Sequence, residues 1–229
     1  MASEAQRVPV LMYHRIGNLS SSRDRRFCLS PGLFSRQMHR LSSLGMQACS
    51  LQDFSGWLRQ ENGLPEGSFL ITFDDGFLGI YEHAAAVLGE LDWPATVFLV
   101  SSQIGKTSDW NSSAPSGSTS YPLLASGQID AMRSAGFSFQ SHTRTHASLT
   151  DLPDGRLADE LAGSRKDLED LLGEEVSYLA YPYGHHDDRV ISASRSAGYA
   201  AAFSTQPGFN RRSSHRYRIC RLDVYGTDT

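Results

Sequence analysis

Short apolar runs alternate along the chain with longer segments that carry apolar residues at every third or fourth position. Runs of this kind predict buried strands, and the longer spacing predicts helices with one buried face. Ser30 followed by Pro31 predicts the start of the first helix, and Gly45 its end. The predicted strands are 8–13, 47–50, 69–72, 95–100, 137–140, 178–181, 200–204 and 218–224, and the predicted helices are 31–44, 51–59, 81–91, 123–135, 157–172 and 189–197.

This order of elements predicts an α/β fold with parallel strands. The number of units favours a closed or nearly closed β/α barrel over an open doubly wound sheet, and the sequence contains no dinucleotide fingerprint or phosphate loop that would favour the open form. With 229 residues, 40% of them hydrophobic, we expect a single domain over residues 1–229. Two polar loops interrupt the pattern, at 18–26 and 101–121. The second, which contains Trp110, is either a lid or a poorly ordered excursion.

Charge and cysteine content exclude several classes of protein. A net charge of −4 gives no reason to expect nucleic acid as a partner. The three cysteines have no CxxC pair, so we expect them to be reduced and buried, not joined in disulfides or in a zinc site. No apolar run approaches the roughly 20 residues of a membrane-spanning helix. Without a visible signal peptide the sequence as written predicts a soluble, cytoplasmic protein; a preceding signal would make it extracytoplasmic.

Two adjacent carboxylates, Asp74 and Asp75, follow the apolar strand 69–72. Neighbouring strand residues point to opposite faces, but the turn made possible by Gly76 can bring both side chains into one cleft. One carboxylate could then bind a cation while the other stays free. The alternative, for an isolated Asp-Asp-Gly, is a turn that caps the next helix.

His142 and His146 lie four residues apart after strand 137–140. If this segment is helical, both imidazoles lie on one face within reach of one ion. Each histidine alone is more often a surface or core residue than a ligand. Two histidines and one aspartate, however, leave a coordination position for water, as in a catalytic zinc site. His185 and His186 are rival ligands, but adjacent histidines at the start of a helix usually face different directions.

The segments TFDDG, HTRTH and YPYG, in this order and each after a predicted strand, resemble the motifs of the polysaccharide deacetylase family, also called carbohydrate esterase family 4 or the NodB-homology family. The resemblance extends over residues 8–224. It implies a distorted (β/α)7 barrel and a divalent metal, usually zinc, with cobalt or nickel as alternatives. The implied substrate is a carbohydrate.

The resemblance also implies roles for single residues by motif position. Asp74 matches the catalytic base, and Asp75 matches the first metal ligand. His142 and His146 match the other two ligands. Tyr183 matches the residue whose backbone amide helps to form the oxyanion hole, a function that a Pro-Tyr-Gly turn at a strand end can serve.

Two departures from the family pattern stand out. An arginine usually lies two residues before the motif proline and orients the base, but this position is Ala180. Arg221 is the candidate replacement, with a surface salt bridge as an equal alternative. The usual late Leu-x-x-His segment with the general acid is not found, and His215 lies in a polar stretch. The opening LMYH resembles the poly-β-1,6-N-acetylglucosamine deacetylase branch, so His14 is the candidate acid and His215 the alternative.

The implied reaction is hydrolysis of the N-acetyl amide of an amino sugar or of an N-acetylglucosamine-containing poly- or oligosaccharide. Trp110 and Tyr183 are the candidate substrate-binding residues, and Trp110 is expected to stack on a sugar ring. One alternative is a deacylase of a non-carbohydrate amide, because fold and metal do not determine substrate. Another is a sugar-binding protein without turnover, against which the intact aspartate and histidine set argues. No oligomeric state is predicted.

Overall fold

The structure, a computed structural model, describes residues 6–18, 26–111, 120–226 and 228. The first five residues, most of the polar loop predicted at 18–26 and the centre of the loop predicted at 101–121 lie outside the described residues. The strands are β1 (Val10–Tyr13), β2 (Arg15–Ile16), β3 (Cys28–Leu29), β4 (Gln47–Ala48), β5 (Ser68–Phe73), β6 (Ala95–Leu99), β7 (Phe137–Ser141), β8 (Tyr178–Ala180), β9 (Ala201–Phe203) and β10 (Leu222–Asp223). The helices are α1 (Pro31–Ser43), α2 (Leu51–Leu58), α3 (Ala85–Glu90), α4 (Ser126–Ser134), α5 (Asp154–Ala158), α6 (Ser164–Leu172) and α7 (Asp188–Ser196).

The main sheet is parallel and curls into a barrel. Its strand order is β10-β1-β5-β6-β7-β8-β9, and β4 pairs with the start of β5. After β9 the chain returns, and Ile219 forms a parallel bridge with Phe203. Leu222 then pairs with Leu11 on β1. The final segment thus bonds to the strands at both ends of the series, and the predicted distorted (β/α)7 barrel is confirmed.

Apolar side chains fill both faces of this curved sheet. The outer face packs against the helices, whereas Val10, Leu70, Phe98 and Phe203 belong to an inner cluster with α2. Trp57 of α2 is fully buried in the inner cluster and donates a hydrogen bond to Gln6, 3.0 Å away, just before β1. Helix α2 therefore closes the amino-terminal end of the barrel. The carboxyl ends of the strands, where parallel barrels carry their sites, remain available.

Several local predictions are confirmed and others are corrected. The Ser30 side chain accepts a hydrogen bond from the amide of Leu33 at the start of α1, as an N-cap does. The predicted helices 81–91 and 157–172 each contain a π turn, at Ile80–Ala84 and Asp159–Gly163. The short parallel pair β2 and β3 was not predicted, because two-residue strands have no hydrophobic periodicity.

The cysteines and the membrane prediction can also be compared with the structure. Cys28 and Cys49 are free and buried, as expected. Cys220 is free but only half-buried, so the expected burial is wrong for this cysteine. No described helix is long and apolar enough to cross a membrane.

Candidate active site

The two aspartates leave the end of β5 in a sharp turn. Asp75 and Gly76 both have left-handed backbone conformations, with φ of 71° and 77°. A side chain at position 76 would place its Cβ 2.6 Å from Leu99, so the turn requires glycine. Asp74 and Asp75 are both buried, and both interact electrostatically with His14 and His142. Both carboxylates therefore lie in one buried group with these histidines, as the Gly76 turn allowed, and neither caps the helix that follows.

Asp75, His142 and His146 come together at this end of the barrel. One ligand atom from each lies within 4.8 Å of the others, and all three side chains are buried. The Oδ1 atom of Asp75 is 3.5 Å from Nε2 of His142 and 3.2 Å from Nε2 of His146. The three residues predicted as metal ligands thus form one cluster.

The two histidines reach this cluster from a loop and not from a helix, so the helical interpretation is wrong. His142 continues from β7, and its amide donates to Leu99 on β6 at 2.7 Å. Thr143 and His146 have left-handed backbones, with φ of 66° and 64°. The Thr143 hydroxyl accepts a hydrogen bond from the amide of His146 at 3.2 Å and closes the loop. The spacing of four residues between the histidines correctly predicted that they lie together, but the backbone between them forms a loop and not an α-helix.

The hydrogen bonds of the imidazoles determine how they can bind an ion. Nδ1 of His142 lies 2.8 Å from the carbonyl of Ala180, which can only accept, so this nitrogen carries the proton. Nε2 of neutral His142 then has a free lone pair facing Asp75. Nδ1 of His146 lies 3.2 Å from the hydroxyl of Tyr183. Such outer contacts fix the ring orientation of metal-binding histidines.

The polar groups of this cluster have the properties expected of a cation site. Oδ1 of Asp75 is buried and has no hydrogen-bond partner among the described residues. Burial is the largest single influence and raises the pKa of Asp75, but the neighbouring His146, His142 and His14 together lower it more, so the net pKa lies below its ordinary value. Burial lowers the pKa of His142 to about 4, against the opposing effect of Asp74. An ionised carboxylate and a neutral imidazole that converge on one point suit a divalent cation.

Asp74 is held separately from this cluster by Arg221. The guanidinium nitrogens lie 2.6 Å and 2.8 Å from the two carboxylate oxygens, and Arg221 is fully buried. Its Nε donates to the carbonyl of Ser204 at 2.9 Å. Burial raises the pKa of Asp74, but the charges of Arg221 and His142 lower it below its ordinary value. Arg221 therefore contacts the base candidate directly, and the surface salt bridge considered as an alternative is wrong.

The two acid candidates lie in different surroundings. His14 follows β1, is half-buried, and its charge interacts with Asp74, Asp75 and Asp223. His215 is exposed. Partial burial and, next, the charge of Arg218 lower the pKa of His215. The structure thus brings His14 to the aspartate pair, whereas His215 is not among the groups that interact with either aspartate.

Asp223 is a site residue that the sequence interpretation missed. Burial raises its pKa, and the charge of His14 opposes this effect. Oδ1 of Asp223 and Nδ1 of His14 are both buried without a hydrogen-bond partner among the described residues. Residues two apart in a strand point to the same face. Once Arg221 was considered, this spacing could have identified Asp223 as a second residue facing the site.

Aromatic side chains border the cluster on another side. The Trp110 ring is 4.8 Å from the His146 ring, centroid to centroid, and 6.5 Å from Phe77. The Tyr183 ring is 4.7 Å from His146. Tyr183 is 47% exposed and has a left-handed backbone with φ of 58°. Trp110 and Tyr183 therefore both pack against His146 of the cluster, and their role in substrate binding stays a prediction.

The rival histidines do not join the cluster. His186 stacks on Tyr181 with a centroid distance of 4.8 Å, and its Nδ1 lies 2.8 Å from the carbonyl of Gly184. His185 is exposed, with its Nδ1 3.3 Å from the hydroxyl of Ser148. Their different directions agree with the expectation for adjacent histidines.

Comparison with known proteins agrees with this geometry. The family model for polysaccharide deacetylases matches residues 61–202, more than half of the chain. The poly-β-1,6-N-acetyl-D-glucosamine N-deacetylase of Staphylococcus epidermidis is 27% identical over 234 residues, which cover 93% of this chain and 78% of that protein. IcaB from Ammonifex degensii has a TM-score of 0.82 at 26% identity and matches 95% of this chain and 91% of its own. The Streptococcus pyogenes deacetylase PplD, at 21% identity, shares the fold with a TM-score of 0.83 over 97% of this chain and 94% of its own. The chain therefore belongs to the polysaccharide deacetylase family.

Proposed function

We propose that the protein is a metal-dependent N-deacetylase that releases acetate from an amino sugar or from an N-acetylglucosamine-containing poly- or oligosaccharide. The observation that carries the proposal is the convergence of Asp75, His142 and His146 beside the buried pair of Asp74 and Arg221. Membership of the family supports a polysaccharide substrate. The staphylococcal relative, a poly-β-1,6-N-acetyl-D-glucosamine N-deacetylase, supports N-acetylglucosamine as the acetylated unit.

Asp75, His142 and His146 would hold the cation, through one carboxylate oxygen and the imidazole Nε2 atoms. Zinc is the first choice because two imidazoles and a carboxylate are typical of catalytic zinc sites, and cobalt or nickel are alternatives. When bound, such an ion supplies Lewis-acid chemistry: it polarises a carbonyl and lowers the pKa of a water molecule.

Asp74 is assigned as the general base that takes a proton from the water attacking the acetamide carbonyl. Arg221 binds both carboxylate oxygens, so it fixes the orientation of Asp74 and keeps it ionised. The carbonyl oxygen gains negative charge as water adds to the carbon. The backbone amide of Tyr183 is assigned as a hydrogen-bond donor to that oxygen.

His14 is assigned as the general acid. It gives a proton to the sugar nitrogen as the carbon–nitrogen bond breaks, which leaves acetate and a free amine. Asp223 interacts with the charge of His14 from β10 and is assigned as the group that positions it. Trp110, packed on His146, is assigned as a wall that stacks on the sugar ring.

Acetate release by the purified protein tests the proposal. The substrates are poly-β-1,6-N-acetylglucosamine, chitooligosaccharides and a set of simple non-carbohydrate acetamides, each with and without chelator. We expect release from a carbohydrate, loss with chelator and recovery on addition of Zn²⁺, Co²⁺ or Ni²⁺. Asp74→Asn is the control, because it should abolish turnover while metal content stays at the wild-type value. Turnover of only the simple amides would contradict the substrate class, and full activity in chelator would contradict metal dependence.

A further inference from the structure

The loop that carries His142 and His146 requires a strained backbone. Thr143 and His146 both lie in the left-handed region, which is unfavourable for residues with a Cβ. Such conformations persist only when the surrounding structure holds them. The amides of Ser101 and Ser102 hold one side of this loop by donating to the carbonyls of Thr143 and Arg144, at 3.1 Å and 3.0 Å. These bonds fix carbonyl oxygens, and the amides of Arg144 and Thr145 are held from elsewhere.

Glu160 holds the other side of the loop. One oxygen of its carboxylate accepts hydrogen bonds from the backbone amides of Arg144 and Thr145, at 2.9 Å and 2.8 Å. The other oxygen bonds to the hydroxyl of Thr145. Glu160 is 2% exposed although glutamate is rarely buried. It lies in the π turn Asp159–Gly163, a feature that often marks functional sites.

The basic side chain on this loop does not pair with Glu160. The guanidinium of Arg144 points instead to Asp167 and Asp159, at 3.0 Å and 3.2 Å. Among the described residues no ion pair to Glu160 is present. Since a buried carboxylate needs its hydrogen bonds, Glu160 and the loop amides depend on each other.

We propose that Glu160 is a positioning residue of the metal site: by binding the amides of Arg144 and Thr145 it holds the loop in the conformation that directs His142 and His146 to Asp75. This inference rests on the proposed metal-dependent function. It assigns to Glu160 no contact with metal or substrate. Outer groups that orient metal ligands typically change metal affinity by about 10- to 100-fold when removed.

Three substitutions of Glu160 separate its contributions. Glu160→Ala removes the acceptor, and Glu160→Asp shortens it by one methylene. Glu160→Gln keeps an oxygen that can accept from both amides. Leu168→Ala, in the fully buried core of α6, is the control for general loss of stability, and Asp159→Ala is the control for the exposed partner of Arg144.

The readouts are the dissociation constant for Zn²⁺ by competition with a chromophoric chelator, the visible absorption of the Co²⁺-loaded proteins, and thermal unfolding of the metal-free proteins. We expect zinc binding about 10- to 100-fold weaker in Glu160→Ala and Glu160→Asp, with an altered cobalt spectrum, and near-normal binding in Glu160→Gln. Leu168→Ala should unfold at lower temperature but bind normally, and Asp159→Ala should resemble wild type in every readout. If Glu160→Ala does not fold, Glu160→Asp provides the test.

Wild-type affinity in Glu160→Ala or Glu160→Asp would overturn the inference while leaving the proposed function intact. Equal loss of affinity in Leu168→Ala, at an equal loss of unfolding temperature, would show that the role is merely structural. Binding by Glu160→Gln as weak as by Glu160→Ala would also overturn it, because the acceptor oxygen would not be the cause. A wild-type protein that binds no metal would overturn both the inference and the proposed metal dependence.

Discussion

Replacement of Arg221 by methionine should be one of the most destabilising single substitutions in this site. Arg221 is fully buried and binds both oxygens of Asp74, at 2.6 Å and 2.8 Å. Methionine removes the charge and leaves the Asp74 carboxylate buried without a cation. Removal of one partner of a buried ion pair typically costs about 3–5 kcal/mol. We expect the free energy of unfolding at pH 7 to fall by that amount.

The loss should depend on pH, with a definite sign. In the wild-type protein the pKa of Asp74 lies below its ordinary value. Ionised Asp74 therefore stabilises the folded state at any pH above the ordinary pKa of an aspartate, and this stabilisation is lost as the pH falls through the lowered pKa of the folded state. Burial is the largest single influence on the Asp74 carboxyl and raises its pKa. Without Arg221 to oppose burial, the pKa of Asp74 should be higher in the variant than in the wild-type protein. Protonated Asp74 carries no charge, so the deficit of Arg221→Met relative to wild type should narrow as the pH falls from 7 toward about 4.

Urea unfolding of the metal-free proteins in chelator, at pH 7 and at mildly acidic pH, measures both effects. The double variant Asp74→Asn/Arg221→Met should recover much of the lost stability, because neither charge then remains unpaired. Arg221→Lys should recover only part of it, since an ammonium cannot bind both carboxylate oxygens in the same plane. A deficit below about 1 kcal/mol, within the usual range of an exposed pair, would refute the reasoning, as would a deficit that does not change with pH.

Three further predictions concern the cleft. His146→Ala should lose most bound metal and nearly all activity, whereas His185→Ala should keep both. Metal analysis and acetate release measure these effects, and full metal occupancy in His146→Ala would contradict the prediction. His14→Ala should keep metal and lose about 10²- to 10⁴-fold in rate. Near-normal turnover in His14→Ala with collapse in His215→Ala would move the acid to the other histidine. Trp110→Ala should raise KM for oligosaccharides more than it lowers kcat, and an unchanged KM would exclude stacking.

Much of the fold followed from hydrophobic periodicity alone. Most strands and helices bury one face, so their apolar residues recur at every second position in strands and at every third or fourth position in helices. The π turns Ile80–Ala84 and Asp159–Gly163 were not predicted. They differ from an α-helix only in which backbone groups are hydrogen-bonded, and the spacing of apolar residues in these segments is still that of a helix. The β2–β3 pair was missed because each strand has only two residues.

The cluster of Asp75, His142 and His146 could be predicted from two motifs because parallel strands end at the same edge of a sheet. Asp75 follows β5, and His142 and His146 follow β7, so their positions after predicted strands already placed them together. The conformation of the histidine loop could not be predicted. A spacing of four fits one turn of helix, but here hydrogen bonds from distant segments stabilise left-handed residues instead.

The sequence by itself determined the fold class, the family and the residues of the Asp75, His142 and His146 cluster, because each is marked by a pattern within a few neighbouring positions. The tertiary structure alone decided which arginine holds Asp74 and which histidine lies near it. Arg221 is 147 positions from Asp74, and closure of the barrel by the last segment brings them together. No local pattern records such a contact, since it depends on how the whole sheet curls and on which strand becomes the neighbour of β1.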